Sequence, residues 1–116
     1  MGIGIDIVKI ERFKNVTERF IQKTFTPREQ EYLKTRQAQS MAGIFAAKEA
    51  VVKALGTGFR GFWPTDVEIV HDSMGKPKVK LHGKARPKKR KGKARLNIEI
   101  SITHSDTDAV AVAVLA

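Results

Sequence analysis

The chain has 116 residues, of which 41% are hydrophobic and 29% charged, the composition of one folded soluble domain spanning residues 1–116. It has no cysteine, which excludes disulfides and thiolate metal sites, and no apolar run near the roughly 18 residues that a membrane span requires. The formal charge of +10 is concentrated between His82 and Arg95, where eight Lys or Arg residues and no acid leave a net +2 for the rest of the chain. Such a bias implies an anionic partner: a nucleic acid, an anionic cofactor or an acidic protein. Asp6 falls where a signal peptide or myristoylation signal needs other residues, so the expected location is the cytoplasm.

In chain order, Gly2–Val8 reads as a short apolar strand carrying Asp6. From Lys9 to about Lys23, Ile10, Phe13, Val16, Phe20 and Ile21 recur at helical spacing. Thr26-Pro27-Arg28-Glu29 has the form of a helix start, with threonine as N-cap, proline in the first turn and glutamate in capping-box position; this helix should run to about Thr35. A third helix is predicted from Ser40 to Gly56, with Met41, Ile44, Phe45, Ala47, Val51, Val52 and Leu55 on its apolar side. The period then becomes two. Val67 and Ile69, a turn at Asp72–Gly75, and Val79 and Leu81 describe a hairpin. Ile98, Ile100 and Ile102 begin a further pair, and the last strand alternates Ala109, Ala111 and Ala113 with Val110, Val112 and Val114. This order predicts an α+β fold with a mostly antiparallel sheet packed against helices. The basic stretch 82–95 contains Gly83, Pro87 and Gly92 and reads as a loop.

Candidate chemistry is sparse. Glu49 and Lys53 lie four apart and share a helix face, which by itself describes a surface ion pair. Gly56-Thr57-Gly58 follows that helix and offers backbone N–H groups suited to cradling phosphate. Asp6, among apolar neighbours, needs a partner or caps a nearby loop. With Glu49 it makes a carboxylate pair that suits magnesium, which keeps waters and leaves positions for substrate phosphates. His104 sits at a hairpin tip. Glu99, Asp106 and Asp108 read as solvated or turn-forming acids, His71 and His82 receive no role, and Trp63 reads as a core or interface anchor.

Four segments carry more than spacing. Gly2-Ile-Gly-Ile-Asp-Ile-Val8, Phe45-Ala-Ala-Lys-Glu-Ala-Val-Val-Lys-Ala-Leu-Gly-Thr-Gly58, Asp66-Val-Glu-Ile69 and Ser101-Ile-Thr-His104 occur in this order, with Met74-Gly-Lys-Pro77 between the last two. Together they resemble the holo-acyl-carrier-protein synthases, the small single-domain 4′-phosphopantetheinyl transferases. The resemblance implies transfer of the phosphopantetheine arm of coenzyme A to a serine of an apo acyl carrier protein, with release of adenosine 3′,5′-bisphosphate. It further implies that Asp6 and Glu49 hold magnesium, that Glu49 takes the serine proton, that Lys53 stabilises the pyrophosphate, and that His104 contacts a phosphate or orients the attacking group. Phe45, Lys48, Lys53, Gly56, Thr57, Gly58, Gly75, Lys76, Pro77 and His104 would form the coenzyme cleft. Lys9, Arg12, Lys14 and Arg19 would dock the acidic carrier, and the active form would be a homotrimer with its cleft between subunits. Segment 82–95 departs from the family, whose members carry an alanine- and leucine-rich helical stretch there.

Two rival readings follow from the same residues. A small basic nucleic-acid-binding protein would use segment 82–95, but no aromatic interleaves that run to stack on bases. A noncatalytic coenzyme A-binding relative would have no need of Asp6, Glu49 and Lys53.

Overall fold

The computed structural model describes residues 1–86 and 97–116. The elements are β1 (Gly2–Lys9), α1 (Glu18–Thr24), α2 (Pro27–Leu33), α3 (Ala38–Leu55), β2 (Val67–His71), β3 (Pro77–Leu81), β4 (Ile98–His104) and β5 (Asp108–Leu115), with 3-10 turns at Ile10–Phe13, Pro64–Asp66 and Gly83–Ala85. The strands form one three-stranded sheet of order β1-β5-β4 and a separate β2-β3 hairpin. Every pairing among the described residues is antiparallel, with Asp6 opposite Ala111 and His104 opposite Ala109. The expected α+β class holds. The basic run beyond Arg86 lies outside the described residues. Its first part, Gly83–Ala85, is a 3-10 turn with Ala85 buried, where an irregular loop was expected.

Helix α3 lies across the three-stranded sheet, and small residues let it come close. Alternation along β5 turns Ala109, Ala111 and Ala113 inward, where all three are buried, and α3 answers with buried Ala42, Ala46, Ala47, Ala50 and Ala54. A Cβ on Gly4 would run into the Ala50 carbonyl of α3, and one on Gly2 into that of Ala54. At the other end of the helix, a Cβ on Gly43 would stand 2.9 Å from the Ile102 side chain of β4. The alanine face of the last strand is thus taken up within the chain. Gly4→Ala is expected to cost about 1–3 kcal/mol through overpacking, read as a lowered urea midpoint with an unchanged slope.

One expected helix is two pieces. Between Lys9 and Lys23 the chain makes a 3-10 turn at Ile10–Phe13 and then restarts as α1, because the Thr17 hydroxyl accepts the backbone N–H of Phe20 at 3.1 Å and caps a new helix. Both pieces deliver aromatics to one cluster: Phe13 and Phe45 centroids lie 5.2 Å apart, and Phe20 packs edge-on to Phe13 and Phe25. The Thr26–Glu29 capping box forms as expected, and α2 ends two residues early at Leu33. Helix α3 begins two residues early at Ala38 and closes on Gly56, whose φ of 77° is the left-handed cap that favours glycine.

Candidate active site

Residues that face α3 from β1 alternate as Gly2, Gly4, Asp6 and Val8, while Ile3, Ile5 and Ile7 point outward and are 71%, 62% and 64% exposed. This alternation places Asp6 beside the C-terminal half of α3. There Lys53 donates from Nζ to Asp6 Oδ1 at 3.0 Å and to the Ile5 carbonyl at 2.9 Å. The second carboxylate oxygen, Asp6 Oδ2, is buried with no hydrogen-bond partner. An orphaned carboxylate oxygen costs free energy unless a donor or a cation completes it.

Glu49 joins the cluster electrostatically. Partial burial pushes its carboxyl above the usual range, the neighbouring Asp6 charge pushes it further, and Lys53 and Arg12 pull part of the way back. Two neighbouring carboxylates, one of them with an unpaired oxygen, fit a divalent cation. Among the described residues no third His, Cys, Asp or Glu joins them as a metal cluster. The remaining ligands would therefore be water and substrate oxygens, the arrangement magnesium favours. Arg12 lies over the rings of Phe13 and Phe45 at 5.8 and 5.9 Å, which brings a guanidinium to the edge of this site. The chain leaving α3 continues through Gly58, also left-handed at φ 60°, with open space around both it and Gly56.

A second feature lies at the opposite edge of the sheet. A groove of about 380 Å³ runs between the start of α3, the β2–β3 turn and β4; its walls include Ser40, Gly43, Gly75, Lys76, Pro77 and His104. Asp72 shapes the turn, its Oδ1 accepting the backbone N–H groups of Met74 and Lys76 at 2.9 Å each. The exposed His104 ring contacts the Ser105 carbonyl through Nδ1 at 3.1 Å. Tyr32 and His71 also line this groove. No sequence signal singled them out, since they are 39 positions apart and meet only through the packing of α2 on β2.

The expected site residues thus fall into two groups. Asp6, Glu49, Lys53 and Gly56–Gly58 lie toward β1, and Gly75–Pro77 and His104 lie toward β4; these are the two edge strands of the sheet. Lys48 belongs to neither. Its ammonium is buried, paired with Glu29 at 2.7 Å and donating to the carbonyls of Pro64 and Val67. With its three donors engaged it has none for a ligand phosphate, so Lys48 is a core residue here, not the cleft residue expected. Trp63 is 70% exposed, which rules out a core role. Lys9, Arg12, Lys14 and Arg19 are all exposed near the Asp6 cluster's end of the chain, from the end of β1 to α1.

The chain belongs to the 4′-phosphopantetheinyl transferase superfamily, whose family model matches residues 2–113. It is 50% identical over 93 residues to the holo-acyl-carrier-protein synthase of Clostridium tetani (strain Massachusetts / E88), covering 76% of this chain and 74% of the relative. Its fold matches the crystal structure of a holo-acyl-carrier-protein synthase from Bacillus anthracis str. Ames in complex with CoA (3′,5′-ADP), with a TM-score of 0.80, 34% identity and coverage of 98% of this chain and 94% of that one. The Helicobacter pylori synthase in complex with coenzyme A matches with a TM-score of 0.79 and 30% identity, over 98% of this chain and 99% of the other. Within the superfamily the chain is an enzyme of the holo-acyl-carrier-protein synthase type. Among the described residues no helix is long and apolar enough to cross a membrane.

Proposed function

We propose that the Asp6–Glu49–Lys53 cluster is the reacting end of a coenzyme A site, where the family's transfer of 4′-phosphopantetheine to a serine of apo acyl carrier protein takes place. The observation that carries the assignment is an orphaned Asp6 oxygen near a carboxyl, Glu49, made costly by burial and by the Asp6 charge. Magnesium held by Asp6 and Glu49 would neutralise charge on the pyrophosphate oxygens. Glu49 takes the serine proton as the serine oxygen bonds to the β-phosphorus. The bond from that phosphorus to the bridging oxygen then breaks, and adenosine 3′,5′-bisphosphate leaves with its charge stabilised by Lys53. Phe45 and Gly56–Gly58 line the approach on this side. Gly75, Lys76, Pro77 and His104 hold the nucleotide in the groove on the other. The transfer would take place in the cytoplasm.

Because the two groups sit at opposite edge strands, we place the complete site between copies of the chain, in a homotrimer. The exposed stripe of Ile3, Ile5 and Ile7 on an edge strand, continued by Val114, supports that association, since such a patch is normally covered. Ile5→Glu is expected to convert the native assembly to monomers in light scattering and to abolish transfer. A variant that stays trimeric and active would remove Ile5 from the interface.

The carrier is an acidic protein docked by Lys9, Arg12, Lys14 and Arg19, a role suited to complementary charge that speeds encounter and sets orientation. The Arg12→Glu, Arg19→Glu double variant is expected to raise KM for the carrier at least tenfold while leaving KM for coenzyme A within about twofold. An unchanged carrier KM would remove the docking role. The activity itself is tested by mass gain on an apo carrier incubated with coenzyme A, with magnesium and with chelator. A metal-dependent gain of one phosphopantetheine supports the proposal, and no gain on any apo carrier refutes it.

A further inference from the structure

The groove beside β4 contains a feature that the transfer reaction as described does not use. Tyr32 of α2 and His71 at the end of β2 stack face to face, with ring centroids 4.0 Å apart and planes within 2°. The Arg36 guanidinium covers the tyrosine ring at 3.9 Å, making a three-layer stack. Stacking on a ring that is itself capped fixes the imidazole plane, so its nitrogens point in set directions. Nδ1 is buried and has no hydrogen-bond partner. A neutral imidazole carries one proton, and stranding a bare acceptor costs less than stranding an N–H, so the proton belongs on Nε2. Burial, helped by the Arg36 charge, lowers the affinity of the ring for a second proton and keeps it neutral.

The surroundings define what such a donor would meet. The groove is also lined by Gln39 and Ser40 in the first turn of α3, an 18-residue helix whose N-cap, Gln37, supplies no side-chain hydrogen bond. Lys76 and His104 stand on its walls, and Arg36 lies behind Tyr32. A ring donor, an uncapped helix start and nearby cations together suit a ligand rich in phosphate oxygens.

We infer that His71, held flat by Tyr32, is a specificity-determining residue of this groove and donates from Nε2 to the phosphorylated nucleotide end of coenzyme A. The inference rests on the assignment of the groove to that nucleotide. It extends that assignment to a residue outside the Gly75–Pro77 and His104 set.

The test measures binding of adenosine 3′,5′-bisphosphate to the full chain by calorimetry, alongside KM for coenzyme A and for the carrier. His71→Phe keeps a ring for Tyr32 and removes the nitrogens; it is expected to weaken nucleotide binding about tenfold, the scale of one hydrogen bond to a charged group. KM for coenzyme A should rise by a similar factor, with kcat and the carrier KM within about twofold of wild type. Restoring a side-chain N–H with His71→Gln should recover most of the affinity even though the stack is lost. If His71→Phe binds the nucleotide as tightly as wild type, or if the glutamine variant is the weaker of the two, affinity follows the ring and the inference is overturned. If wild type transfers phosphopantetheine but does not bind the bisphosphate, the groove assignment falls while the transferase reading stands. Failure of wild type in both assays would overturn both.

Discussion

Glu49→Gln is expected to lower kcat for transfer by about 10²–10⁴-fold, the range for losing a positioned general base, while raising the melting temperature of the metal-free protein. The two effects share an origin. In the folded chain Glu49 is partly desolvated and sits beside Asp6, so its carboxyl is held above its ordinary range. A carboxyl raised in this way contributes stability that is present at low pH and is lost as pH rises through the folded-state value. Near neutral pH the ionised Glu49 therefore works against the fold, and a neutral amide of the same shape relieves it. The substitution also removes one of the two anionic groups proposed to bind magnesium, so magnesium is expected to raise the melting temperature of wild type and to do so far less for the variant. Scanning calorimetry with and without magnesium, run beside the mass-gain assay, checks all three effects. A variant that is inactive because it is less stable than wild type would contradict the argument. So would one whose activity stays within tenfold of wild type.

Legibility in the sequence depended on how local each signal was. The capping box at Thr26–Glu29, the left-handed stop at Gly56 and the alternation of β5 are each written within a few residues, and each appears in the structure. The break between Ile10–Phe13 and α1 was hidden, because Ile10, Phe13 and Phe20 reach the same hydrophobic core from two elements and so imitate the period of one helix. Gly2 and Gly4 read only as strand residues, and their close approach to Ala54 and Ala50 depends on a helix some fifty positions away. In the site, Asp6, Glu49 and Lys53 were legible through motif order, and the structure brings Asp6 and Lys53 within 3.0 Å. Two things were not legible: that the expected residues divide between opposite edge strands, and that Tyr32 and His71 meet in the groove. Both follow from tertiary topology, which no spacing along the chain encodes.

Lys48 shows the limit of motif reading most directly, and its replacement carries the largest expected effect on stability. Next to Glu49 in sequence, it projects about 100° away around α3, and its side chain is 1% exposed against a fully buried Glu29. Glu29 is anchored in turn: Oε1 also accepts the Thr26 N–H at 2.8 Å, and Oε2 accepts the Ile69 N–H at 2.7 Å. One ion pair therefore ties α3 to α2 and to β2, while Lys48 reaches the carbonyls of Pro64 and Val67 at 3.0 and 2.6 Å. Burial lowers the ammonium's hold on its proton, and the Glu29 charge and hydrogen bond oppose that shift. Lys48→Met fills similar space but strands a buried carboxylate and two carbonyls, and is expected to cost about 3–5 kcal/mol. For a small domain stable by about 5–15 kcal/mol, that is a large share of the total. Urea unfolding of wild type and variant measures this. A loss below about 1 kcal/mol would mean that the pair does not hold the helix. Because Lys48 and Glu49 are adjacent, the bonds that turn one inward also set the direction in which the other faces outward. Core ion pair and proposed catalytic carboxylate are thus positioned by the same rotation of α3.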